Sequence, residues 1–251
     1  MPESHPLDER LFSEVSAFAD EMSGLLAEVF DATVEPFAAR VVAGESTLVI
    51  IEQQPATGVV LMADGQPLLR LTASYRCAWD HAGEFLAVRE STLGVHAIGS
   101  EEPLFRYDFD SECDGKVPGA HLNVHGHRDE MVFALAGAGR RLRGKARSAT
   151  MGKGRVPRLA TFHFPVGGPR FRPSLEDVVE IVVREFGLAT RPGWETAVRD
   201  GRARWREKQL RSAVRDDPEV AADALRRLGY TIGAPVNKSA RERRDERVLA
   251  L

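Results

Sequence analysis

The chain is short of cysteine and has no long apolar run, and each shortage removes a class of protein. Two cysteines among 251 residues, Cys77 and Cys113, cannot form the disulfide framework of a small secreted domain, and they make no CxxC pair. No apolar stretch approaches the ~20 residues that span a bilayer. The N-terminus shows no basic segment followed by an apolar one, so no signal peptide is expected. The expected location is cytoplasmic, with no membrane partner. A GxxxxGK[ST] phosphate loop is absent, since Gly152-Lys153-Gly154 is too short to be one. The net charge of −3 predicts no global attraction to nucleic acid, so any attraction must come from local asymmetry.

Acid is missing from one long stretch. From Met131 to Leu175 there is no Asp or Glu, yet Arg140, Arg141, Arg143, Lys145, Arg147, Lys153, Arg155, Arg158, Arg170 and Arg172 fall there. Such a run has no local self-neutralisation. Clustered bases among flexible glycines are the electrostatic footprint of phosphate-backbone binding. Arg140, Arg141, Arg143, Lys145, Arg147, Lys153 and Arg155, with Arg106, are therefore expected to contact RNA or another polyanion. A solvated loop, or a basic face that pairs with acids elsewhere in the chain, is the alternative.

What is present is an ordinary globular composition, with 43% hydrophobic and 28% charged residues, on a chain long enough to bury a sizeable core. Leu11, Val15, Phe18, Met22, Leu25, Leu26 and Val29 recur at helical spacing and make one apolar stripe. Pro36 is expected to kink this helix or start another turn. Short strands follow at 48–51 and 59–62, the second ending in a turn at 63–66. The clearest strand sets Leu69, Leu71, Ala73, Tyr75 and Cys77 against Arg70, Thr72, Ser74 and Arg76. One long or two short strands are expected over 85–98, and another at 105–109. Short connections imply an antiparallel meander. Residues 131–138 read as helical and 160–166 as a strand. Ser174 and Asp177 make a capping-box pair opening a helix that stops at Gly187.

The predicted class is α+β, an antiparallel meander with an N-terminal helix, a helix after the last strand and a C-terminal helical appendage. The expected organisation is a core domain at 1–190, a helical segment at 191–233 after Arg191-Pro192-Gly193, and a charged, disordered tail at 234–251.

The strand beginning at His121 carries the most chemistry. Side chains alternate across a strand, so His121, Asn123, His125 and His127 share one face. His163 alternates in the same way and is expected to join them, with Asp108 and Arg106 from the strand before. Imidazole titrates near neutral pH, so two of these rings could remove and supply a proton at a phosphodiester while nearby bases hold the phosphate. His121, His125 and His163 are the acid–base candidates, and Asp108 is the residue that orients a ring. The residues leave two other readings open: a metal site using the same four side chains, and a polar strand surface with no chemistry. The HxNxHxH spacing has no close match to the zinc-binding HExxH helix, so no metal or other cofactor is assigned. Cys77 falls on an apolar strand face, and Cys113 in an acidic loop.

Residues 58–187 resemble the small bacterial TumE-type toxin family and a related-looking bacterial family of unknown function. The resemblance rests on PLFRYD at 103–108, HLNVHGH at 121–127, FHFPV at 162–166 and PSLED at 173–177, and on the order of strands, histidine strand and final helix. It implies a toxin-like or defence-associated protein, with a cognate antitoxin as its partner. The chain departs from the family in its greater length, its N-terminal helix, its C-terminal helices and a long basic insertion at 137–158. Taken together, the expectation is a protein acting on nucleic acid by metal-independent RNA phosphodiester cleavage. A non-catalytic nucleic-acid-binding or protein-binding regulator is the alternative.

Overall fold

The structure, a computed structural model, describes residues 6–30, 37–42, 48–53, 57–80, 83–112, 117–126, 149, 151–156, 158–161, 163–166, 168–234 and 243–249. The N-terminal stripe forms helix α1 (Pro6–Val29). Its Leu11, Val15, Met22, Leu25, Leu26 and Val29 are buried. Each such side chain contributes about 1.5–3 kcal/mol on burial, so packing rather than intrinsic helix preference holds α1 in place. Strand β1 (Phe37–Val42) is the next described element; Pro36, where a kink or a new turn is expected, lies outside the described residues. The Phe37 ring is buried in the core, and its N–H donates to the Ser23 hydroxyl of α1 at 2.8 Å.

Strands β2 (Leu48–Gln53), β3 (Val59–Ala63), β4 (Gln66–Trp79), β5 (Leu86–Ala97), β6 (Pro103–Asp110), β7 (Ala120–Val124) and β8 (His163–Pro165) complete an antiparallel sheet. Its order is β1-β2-β4-β5-β6-β7-β8, with β3 also on β4. β4 is long enough that β2 and β3 share one of its edges, end to end, while β5 runs along the other. The span 85–98 is thus one strand. Of the strand expected at 160–166, Ala160 and Thr161 fall instead in a 3-10 turn (Leu159–Thr161), and β8 spans only His163–Pro165.

Helices cover one face of the sheet. Buried Leu69, Leu71, Tyr75, Cys77, Leu93 and Val95 meet α1 and helix α3 (Leu175–Phe186), which follows the short α2 (Gly168–Phe171). The Ser174/Asp177 capping box is formed, and Gly187 ends α3 in the left-handed region at φ 61°. Helix α4 (Trp194–Asp216) brings Trp194 and Val198 into the same core, so the C-terminal helical segment packs as part of it. Gly201 allows the approach of α4 to α3, because a Cβ there would sit 2.7 Å from Glu176 Oε1. Phe18 of α1 stacks on Trp205 at 6.4 Å and meets Tyr75 edge-on at 5.3 Å.

Helix α5 (Pro218–Arg227) follows, capped by the Asp217 carboxylate. Within the tail expected to be disordered, residues 243–249 are folded, with a final turn α6 (Asp245–Val248). Charge pairing accounts for this: the Arg244 N–H donates to the Asp216 carbonyl at 2.9 Å, and its guanidinium lies 3.5 Å from the Asp216 carboxylate. Among the described residues no helix is long and apolar enough to cross a membrane.

Candidate functional site

The face of the sheet away from α1 is polar, as alternation requires of a sheet with one face packed. Register then decides which polar side chains become neighbours. Thr92 pairs with Asp108, Asp108 with His121, Arg106 with Asn123, and Asn123 with His163. Directly opposed residues hold their Cβ atoms about 4.5–5.5 Å apart, so these side chains from β5, β6, β7 and β8 form one cluster.

Asp108 is its hub. Thr92 Oγ1 donates to Asp108 Oδ1 at 3.1 Å, while Arg106 Nε and Asn123 Nδ2 donate to Oδ2 at 2.7 and 2.9 Å. Nε2 of His121 lies 3.6 Å from the same Oδ2. Nδ1 of His121 is 2.7 Å from the Pro118 carbonyl. A carbonyl can only accept, so Nδ1 carries a proton, and Nε2 is the nitrogen turned toward the carboxylate. The His163 ring meets the His121 ring edge-on, with centroids 4.5 Å apart.

Although this face is not the core, His121 and Asn123 are 8% and 2% exposed, whereas the Arg106 side chain is 42% exposed. The cluster therefore has buried His121 and Asn123, a partly buried carboxylate and a guanidinium at its solvent edge. Asn123 Oδ1 is buried without a hydrogen-bond partner among the described residues.

His125 belongs elsewhere. β7 ends at Val124, and four residues of strand separate His125 from His121 by about 13 Å. Its Nδ1 donates to Glu102 Oε1 at 3.0 Å, and Arg158 Nη2 reaches both oxygens of that carboxylate at 2.8 and 3.1 Å. The hydrogen bond from His125, and then the Arg158 charge, hold the Glu102 carboxyl below its usual range. His121 and His125 thus cannot serve one reacting atom, and the expected set His121, His125, His163 and Asp108 is divided.

His96 is a further ring on the polar face, beyond the residues the sequence singles out. His96 Nδ1 donates to the Glu101 carbonyl at 3.1 Å, so its Nε2 accepts from the Thr72 hydroxyl at 3.2 Å. Burial, and then the Arg70 charge, lower its pKa. Its position two residues after Gly94 and four after Thr92 on β5 was the available signal. Thr92 and Asn123 were likewise legible only as polar alternation.

Of the expected phosphate contacts, Arg106 is at the site, and Lys153 and Arg155 are exposed. Arg140, Arg141, Arg143, Lys145 and Arg147 lie outside the described residues, as do His127, Cys113 and the 131–138 helix. Two members of the acid-free run find distant carboxylates: Arg158 pairs with Glu102, and Arg170 with Asp216 at 2.5 Å. Cys77 is fully buried in the core, and burial pushes its thiol up to about 12, which removes it as a nucleophile. Among the described residues no three His, Cys, Asp or Glu side chains converge as metal ligands. No family model, no curated protein and no solved structure matches this chain.

Proposed function

We propose that the Asp108–His121–His163 cluster is a metal-independent site for cleavage of RNA phosphodiester bonds, in a toxin-like or defence-associated protein. One observation carries the reading: two imidazoles in contact on adjacent strands, above a carboxylate shared with a solvent-facing arginine. Arg106 has its Nε committed to Asp108, and its terminal nitrogens bind the phosphate. His163 takes the proton of the attacking 2′-hydroxyl. The 2′-oxygen then bonds to phosphorus, and the 5′-oxygen leaves with the proton that His163 returns. The products are a 2′,3′-cyclic phosphate and a 5′-hydroxyl. His121, held by the Pro118 carbonyl and by Asp108, faces the charge that develops on the phosphoryl oxygens.

A second reading has its own observation. Both ring nitrogens of His121 are already directed at protein acceptors, which suits a ring that positions rather than transfers a proton. On that reading the face binds RNA without cutting it.

Purified protein incubated with a single-stranded RNA oligonucleotide at neutral pH, with chelator present, tests the proposal. Cleavage to 2′,3′-cyclic ends is expected, falling about 10²-fold or more in His163→Ala. RNA left intact by the wild type would sink the catalytic reading. Salt-sensitive binding without cleavage would establish the second reading in its place. Expression in a bacterial host checks the toxin-like role, with growth arrest by the wild type and none by His163→Ala.

A further inference from the structure

A sizeable concavity in the described structure lies away from the histidine cluster. It is a cavity of about 470 Å³ between α1, the start of β5, the α2–α3 connection, α4 and the C-terminal turn. Its described lining holds eight lysines and arginines against four carboxylates. That volume falls within the ~300–1,000 Å³ typical of small-molecule sites.

The charge is concentrated in guanidinium groups that have been brought together from distant parts of the chain. Arg89 comes from β5, Arg170 from α2, Arg172 from the connection to α3, and Arg244 and Arg247 from the C-terminal turn. Arg172 is 9% exposed, its guanidinium 3.9 Å from the Phe109 ring centroid and 5.1 Å from that of Trp205. The two rings fix the group in position. Asp216, 3% exposed, receives Arg170 at 2.5 Å and lies 3.5 Å from Arg244. One carboxylate therefore serves two arginines, and like charges face one another across the space. Burial first, and with it repulsion from Arg170 and Arg247, brings Arg172 down to about 10. Arg247 is lowered by burial and then by Arg244, Arg170 and Arg89. Converging, partly desolvated cations repel one another, and an anion bound among them offsets that repulsion. Planar guanidiniums at several angles suit the tetrahedral oxygens of phosphate better than a single carboxylate.

We propose that this cavity is a binding site for a small phosphorylated molecule carrying a pyrophosphate or longer polyphosphate group, clamped from the C-terminal side by Arg244 and Arg247. The site is separate from the sheet face and does not depend on the RNA-cleavage reading. Its ligand is either a nucleoside polyphosphate or inorganic pyrophosphate, which share the recognised group.

The test uses the full chain, with calorimetric titration and thermal melting against pyrophosphate, ATP and adenosine. Pyrophosphate and ATP are expected to bind and to raise the melting temperature, because a ligand of the native state stabilises it, while adenosine does neither. Tighter binding of ATP than of pyrophosphate assigns the nucleotide, and equal or weaker binding assigns the inorganic ion. Arg247→Gln, at the end of the chain and outside the core, should weaken pyrophosphate binding about tenfold or more with its unliganded melting retained. Arg170→Gln is the second variant and should act in the same direction. Asp108→Asn on the sheet face should leave binding unchanged. The proposal is overturned if neither pyrophosphate nor ATP binds, if adenosine binds as well as ATP, or if Arg247→Gln and Arg170→Gln both bind pyrophosphate as the wild type does.

Discussion

Asp108 and His121 are directly opposed residues of the β6–β7 ladder, and the carboxylate Oδ2 sits 3.6 Å from the ring Nε2. The same oxygen accepts from Arg106 and Asn123, and its partner Oδ1 accepts from Thr92. One carboxylate thereby ties together side chains from three adjacent strands.

Removing that carboxylate should cost stability as well as function. Asp108→Ala leaves the buried Asn123 amide without its acceptor, and a loss of about 2–3 kcal/mol is expected in urea unfolding. Arg106→Ala should cost less than about 1 kcal/mol, since its side chain is half in water and Asp108 keeps Thr92 and Asn123 as donors. Equal losses for the two variants would show that Asp108 is not the hub.

Gly94 makes room for the Thr72–His96 hydrogen bond. A Cβ there would fall 2.7 Å from Thr72 Oγ1 and 3.0 Å from His96 Nε2. Gly94→Ala should therefore displace the His96 ring and destabilise the protein by about 1–3 kcal/mol. Histidine ring signals in NMR spectra locate the effect: His96 shifts strongly, and His163 does not.

The depressed pKa of His96 gives stability a pH dependence of definite sign. Burial, and then Arg70, favour the neutral ring in the folded chain, so below the ordinary value of 6.5 the unfolded chain binds the proton more readily. The contribution is complete above pH 6.5 and is lost as the pH falls toward the folded-state value. Melting temperatures measured from pH 7.5 down to 5.5 should fall more steeply for the wild type than for His96→Gln. Parallel curves would contradict this assignment.

Local chemistry made much of the architecture legible. Helical spacing placed α1, and period-2 alternation placed β4 and β6, because both patterns are written in neighbouring residues. The capping box at Ser174 and the stop at Gly187 were readable for the same reason. β1 was missed, since Phe37–Val42 carries no clean alternation and is held by its ladder with β2 and by contact with α1. The folded turn at 245–248 was missed too, because its anchor, Asp216, lies far back in the chain.

The histidine row shows where the boundary falls. Alternation alone determined that His121 and Asn123 point to one side. It could not determine what stands opposite, because a register shift of one residue would turn every side chain to the other face. Only the tertiary structure set Asp108 against His121, brought the His163 ring to it, and left His125 past the strand end with Glu102 and Arg158. The arginine cavity is the stronger case: Arg89, Arg172 and Arg247 are more than seventy residues apart in sequence, and only packing of helices against the sheet makes them neighbours.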